Sequence, residues 1–205
     1  MNKPINSSII NVCIIPNETV SASCVTLSQS LKTDSAILTL GNGKFAHMTV
    51  YMARFSDDAI NDVVSAVEKV LSQTSSFECK HIGYFLTKGR YYEASFDKNV
   101  EFMALHELLI DNVSPLRINP GNPYEEGYFT PYTEGQQKNA AETGYDLAYE
   151  LYRPHITLTR YAEGGVPDPF PEVAETNLSF NTSKICVYKA DDNGAVYELV
   201  KEFII

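Results

Sequence analysis

From Ile9 to Ile15 every position but Asn11 is apolar, and the run stops at Pro16. A short β-branched run bounded by a proline predicts a buried strand. Residues 17–32 are polar and rich in Ser and Thr, and predict a short helix. Ala36–Leu40 predicts a second strand. Gly41-Asn42-Gly43 follows it, and an Asn-Gly pair between apolar runs predicts a tight hairpin with Phe45–Phe55 as the returning strand. Between Asp57 and Ser72, Ile60, Val63, Val64, Val67, Val70 and Leu71 fall on one stripe at helical spacing, which predicts an amphipathic helix. Glu78–Thr87 and Tyr91–Phe96 predict a hairpin across Lys88-Gly89-Arg90. Val100–Val113 predicts a further helix, closed by Pro115. Residues 114–147 are rich in Pro, Gly, Asn and Tyr and predict a long loop, of a length that often serves function. Leu151–Tyr161, Glu175–Phe180, Lys184–Ala190 and Val196–Ile205 predict further strands, the last two joined by the turn Asp191-Asp192-Asn193-Gly194.

Several neighbouring strands are joined by tight turns, which means antiparallel pairing, and there is no regular βαβ rhythm. The predicted class is therefore α+β, with residues 1–205 forming a single domain. Hydrophobic residues make up 44% and charged residues 20%, the proportions of a soluble globular chain. The net charge of −10 disfavours a grip on long nucleic acid, because an acidic surface repels a polyanion. It leaves room for a small nucleotide or short oligonucleotide in a local pocket. The apolar run 9–15 is far shorter than the roughly 20 residues that span a bilayer, and no secretion signal is evident. The expectation is a cytoplasmic monomer without membrane contact. Cys13, Cys24, Cys79 and Cys186 form no Cys-x-x-Cys pair, which disfavours a zinc ribbon or a disulfide scaffold.

One echo in the sequence carries chemistry. His47-Met48-Thr49-Val50 and His155-Ile156-Thr157-Leu158 both alternate His, apolar, Thr, apolar, each within a predicted strand. Side chains in a strand alternate between faces, so His and Thr at i and i+2 point one way while Met48, Val50, Ile156 and Leu158 point into the core. A lone His-x-Thr is common in strands. Two of the four histidines sharing this context is far less expected by chance, since His81 and His106 do not share it and read as structural or surface residues. Two such platforms facing each other would hold two imidazoles, one accepting a proton while the other donates, and two hydroxyls able to bind an anion such as phosphate.

At these residues the sequence resembles the two-histidine (2H) phosphoesterase superfamily, which includes cyclic nucleotide phosphodiesterases and RNA 2′,5′-ligase-like proteins. Arg153-Pro154-His155-Ile156-Thr157-Leu158-Thr159-Arg160 is similar to its second motif and His47-Met48-Thr49-Val50 to its first. The resemblance implies a duplicated, two-lobed α+β fold in which two antiparallel sheets form a V-shaped cleft with helices outside. It also implies a metal-independent phosphoesterase acting on a 2′,3′-cyclic phosphate or a 2′–5′-linked oligonucleotide. For a cyclic phosphate, His155 would activate water and His47 would protonate the leaving oxygen, the sequence also allowing the opposite assignment, while Thr49 and Thr157 hold the phosphate. A non-catalytic nucleotide-binding module on the same fold is the alternative, and an unrelated α+β protein with coincidental motifs is a third.

Tyr51 and Tyr161 follow the motifs at even spacing from His47 and His155, so strict alternation places them in the cleft as substrate contacts. Arg153 shares the face of His155, whereas Arg160 has odd parity and faces away. Tyr128 and Tyr132, with Tyr124 and others, crowd the long loop and would either stack on a base or pin the loop to the body. Gly41-Asn42-Gly43-Lys44 lacks the spacing of a phosphate loop. No His-x-x-x-His or acidic cluster flanks the motifs, so neither a metal nor a cofactor is expected.

Overall fold

A computed structural model describes residues 6–118, 133–173 and 175–205. Its strands are β1 (Ser7–Ile14), β2 (Ala36–Thr39), β3 (Met48–Ser56), β4 (Glu78–Cys79), β5 (His81–Leu86), β6 (Tyr91–Phe96), β7 (His155–Tyr161), β8 (Phe180–Asn181), β9 (Lys184–Ala190) and β10 (Val196–Ile204). Its helices are α1 (Glu18–Ser30), α2 (Ile60–Leu71), α3 (Val100–Val113) and α4 (Glu134–Thr143). One four-stranded sheet has the order β10-β9-β1-β3 and a second the order β2-β7-β6-β5, and the strands within each pair antiparallel. The fold is α+β, with one motif strand in each sheet. No helix among the described residues is long and apolar enough to cross a membrane.

The faces turned away from the motif side chains share one core with the helices. Ile10, Val12, Ile14, Met48 and Val50 of the first sheet and Ala94, Ile156 and Leu158 of the second belong to it, with Leu27 of α1, Val67 of α2 and Leu109 of α3. The segment 17–32 forms a full helix because Asn17 accepts a hydrogen bond from the Val20 N–H, and Val20, Cys24, Leu27 and Leu31 line up on one buried stripe.

Two expectations need correction. The Gly41–Lys44 turn forms as predicted, with Asn42 and Gly43 both at positive φ and reciprocal hydrogen bonds between Gly41 and Lys44. It does not close a hairpin, however. Its flanking strands part, β2 pairing with β7 and β3 with β1, so the turn links the two sheets. The segment 114–147 is not all loop either. Thr133 and Gln136 form a capping box that starts α4, and Gly144 ends the helix in the left-handed conformation. A Cβ at Gly144 would meet the Ala53 Cβ at 2.8 Å, so only glycine lets the helix end lie against β3. Arg117 donates to the carbonyls of Ala141 and Glu142 at that same end.

Both motif strands carry a bulge immediately after the threonine. On β3, Thr49 is opposite Cys13 and Tyr51 is opposite Val12, so Val50 is an extra residue. On β7, Thr157 is opposite Glu93 and Thr159 is opposite Tyr92, so Leu158 is an extra residue. A bulge takes one residue out of the ladder. Each bulge carbonyl is met instead by a buried side chain from a helix. His106 Nδ1 of α3 bonds Val50 O at 2.7 Å, and Ser28 Oγ of α1 donates to Leu158 O at 2.5 Å.

His106 is locked in its neutral form. A carbonyl only accepts, so Nδ1 carries the hydrogen, and Nε2 must accept the Tyr149 N–H at 3.0 Å. The ring also stacks on Tyr152, with centroids 4.0 Å apart. A second proton on Nε2 would face an N–H, and burial pushes the pKa from 6.5 down to about 4. As pH falls below 6.5 the unfolded chain therefore takes up this proton first, and stability present above pH 6.5 is lost down to about pH 4. Denaturant unfolding should show the wild type losing about 3 kcal/mol more than a His106→Gln variant across that window. Parallel losses in the two proteins would contradict this role for His106.

Candidate active site

His47 directly precedes β3 and His155 opens β7, and these strands contact each other although they belong to different sheets. Each imidazole is oriented in the same way. His47 Nδ1 bonds the Phe45 carbonyl at 3.1 Å and His155 Nδ1 bonds the Arg153 carbonyl at 2.6 Å, in both cases two residues back. Since a carbonyl only accepts, both Nδ1 atoms carry hydrogen, and each neutral ring keeps its Nε2 lone pair for chemistry. Met48, Val50, Ile156 and Leu158 are fully buried on the opposite face, while His47, Thr49, His155 and Thr157 are partly exposed.

The two rings sit in different fields. Burial lowers the pKa of His47, and the charge of His155 lowers it further; the Phe45 and Gly194 carbonyls and the charge of Asp191 pull the other way. His155 has a carboxylate beside it instead. Glu93 Oε1 lies 3.6 Å from His155 Nε2, an ion pair whenever that ring is protonated, and Glu93 Oε2 accepts from Arg153 at 2.8 Å. Thr49 Oγ accepts from Asn11 Nδ2 at 2.9 Å, so its own hydrogen is left to donate elsewhere. The Asp191–Gly194 turn closes this end of the site. Gly194 O takes a long 3.4 Å bond from Asn11, and Asn193 Oδ1 accepts from Arg160 of the other sheet at 2.7 Å.

The structure thus brings together His47, Thr49, His155, Thr157 and Arg153. It does not bring Tyr51 or Tyr161 to them. Both are fully buried, with Tyr51 donating to the Thr143 carbonyl at the end of α4 and Tyr161 to the Leu31 carbonyl at the end of α1. The bulges are the reason, since one extra residue after the threonine inverts the alternation beyond it. The same inversion overturns the expectation for Arg160, which turns toward Asn193 and lies 4.6 Å from the Tyr91 ring centroid. Tyr128 and Tyr132, like Tyr124, lie outside the described residues. Tyr145 and Tyr152 of the aromatic-rich stretch are core residues, Tyr152 donating to the Thr49 carbonyl.

Asn11 and Glu93 were not predicted as site residues, and the Asp191–Gly194 turn was predicted only as the connection between the last two strands. Asn11 had a signal, as the lone polar residue in an apolar strand, where a buried amide needs a partner. Glu93 had little, because a carboxylate on the polar face of β6 looks like ordinary solvent-facing charge. Among the described residues no three His, Cys, Asp or Glu side chains cluster in a way that could hold a metal.

No family model matches the sequence and no curated protein matches it; the likeness is one of structure. A solved phosphoesterase superposes with a TM-score of 0.65 at 11% identity, over 98% of this chain and 99% of that one. TT0787 of Thermus thermophilus gives 0.65 at 18% identity, over 96% and 97%. LigT of E. coli, solved with 3′-AMP, gives 0.62 at 11% identity, over 98% and 99%. LigT has also been solved with ATP. Along nearly its whole length, the chain has the fold of these solved proteins, one of them a phosphoesterase.

Proposed function

We propose that residues 1–205 form a single-domain, metal-independent phosphodiesterase that hydrolyses a small RNA-related phosphodiester, a 2′,3′-cyclic phosphate or a 2′–5′-linked oligonucleotide. The observation that carries this reading is the matched pair of imidazoles, each anchored through Nδ1 on a carbonyl two residues back and each followed by a partly exposed threonine. A nucleotide-binding module without chemistry would need no such pair. The nucleotides bound by LigT, 3′-AMP and ATP, support a substrate of nucleotide size.

The surroundings of the two rings favour one division of labour. His47, held neutral by burial, takes a proton from water through Nε2 as the water attacks phosphorus. The bond from phosphorus to one ribose oxygen breaks, and His155, whose Nε2 lies 3.6 Å from the Glu93 carboxylate, gives a proton to that oxygen. Thr49 and Thr157 donate to the non-bridging oxygens as charge builds on them. Return of one proton from His47 to His155 through solvent resets the pair.

His47→Ala and His155→Ala should each lower turnover of an adenosine 2′,3′-cyclic phosphate by about 10²–10⁴ with unchanged circular dichroism. Activity within a few-fold of wild type in either variant would remove the acid–base pair. The pH profile of kcat/KM should be bell-shaped, with its acid limb below pH 6.5 because the pKa of His47 is lowered. Asp191 raises that pKa, so Asp191→Asn should shift the acid limb to lower pH, and a shift upward would contradict the assignment of His47 as base. Turnover should survive EDTA; loss restored by one divalent ion would place a metal in the mechanism.

A further inference from the structure

The sheet that carries His155 has a feature the proposed reaction leaves unused. Phe85, Glu93 and Thr157 stand opposite one another across β5, β6 and β7, on the face that His155 occupies. Glu93 is buried and holds Arg153, whose guanidinium carbon lies 5.8 Å from the Phe85 ring centroid. Tyr84 and Leu86 turn into the core, but Phe85 is 53% exposed. Gly83 lies one step along the same face, and a Cβ there would meet nothing within 4 Å, so the space beside the ring is open.

A single exposed phenylalanine is ordinary. This one stands beside a guanidinium whose charge is already matched by Glu93, which makes Arg153 a poor phosphate clamp and a good planar partner. We infer that Phe85 and Arg153 form a stacking platform for the nucleobase of the substrate, with Glu93 positioning Arg153. The inference rests on the phosphate site proposed above. Phe85 is two strands from Thr157, about 10 Å along the sheet, which one ribose bridges between phosphate and base. The ring offers its face to a base, and the remaining guanidinium N–H groups on the exposed side offer donors to the base edge.

Calorimetric binding of adenosine 3′-monophosphate and of base-free ribose 3-phosphate tests this on the wild type, Phe85→Leu and Phe85→Tyr. The wild type should prefer the nucleotide, Phe85→Leu should cut that preference about 5- to 150-fold, and Phe85→Tyr should keep it. An unchanged preference in Phe85→Leu, with both ligands still bound, overturns the platform and leaves the phosphate site standing. Failure of the wild type to bind either ligand overturns the proposed function and the platform with it.

Discussion

The site depends on one residue of extra backbone in each motif strand. Val50 in β3 and Leu158 in β7 follow their His-x-Thr directly and step out of the ladder. Up to that step, alternation sends His and Thr to one face and the apolar residues to the core. Beyond it the faces exchange. Tyr51 and Tyr161 can then run inward and tie the ends of α4 and α1, while Arg160 runs outward to meet the turn of the other sheet. The cost of a bulge is an unpaired carbonyl, and the fold meets it twice in the same manner, with His106 and with Ser28. Two unrelated side chains on two helices filling equivalent positions is what a duplicated architecture looks like at the level of single hydrogen bonds.

Within that near-symmetry the electrostatics are unequal. His47 is desolvated and borders the Asp191–Gly194 turn, whereas His155 has the buried Glu93 carboxylate within 3.6 Å. An acid–base pair needs such an inequality, because one ring must be neutral while the other is charged. In the proposed reaction the Thr49 and Thr157 hydroxyls donate locally to the phosphate, so the net charge of −10 does not oppose it.

Much of this was legible in the sequence for identifiable reasons. The α+β class followed from turns and periodicity, and the His-x-Thr echo located the paired strands. The bulges were not legible, since nothing in Thr49-Val50-Tyr51 or Thr157-Leu158-Thr159 marks an extra residue, and strict alternation then misplaced Tyr51, Tyr161 and Arg160. Helix α4 was legible and missed: Thr133, Gln136 and Gly144 are cap signals lying in a segment whose Pro and Tyr content suggested loop. The Gly41–Lys44 turn shows a different limit, because local turn chemistry fixes the turn and not which strands its arms join.

The facing of the two imidazoles is tested most directly by NMR titration of His47, in the wild type and in a His155→Gln variant. The expected result is a His47 midpoint below 6.5 that moves upward when His155 can no longer carry charge. A midpoint at or above 6.5, or one that stays put in the variant, would contradict a shared site.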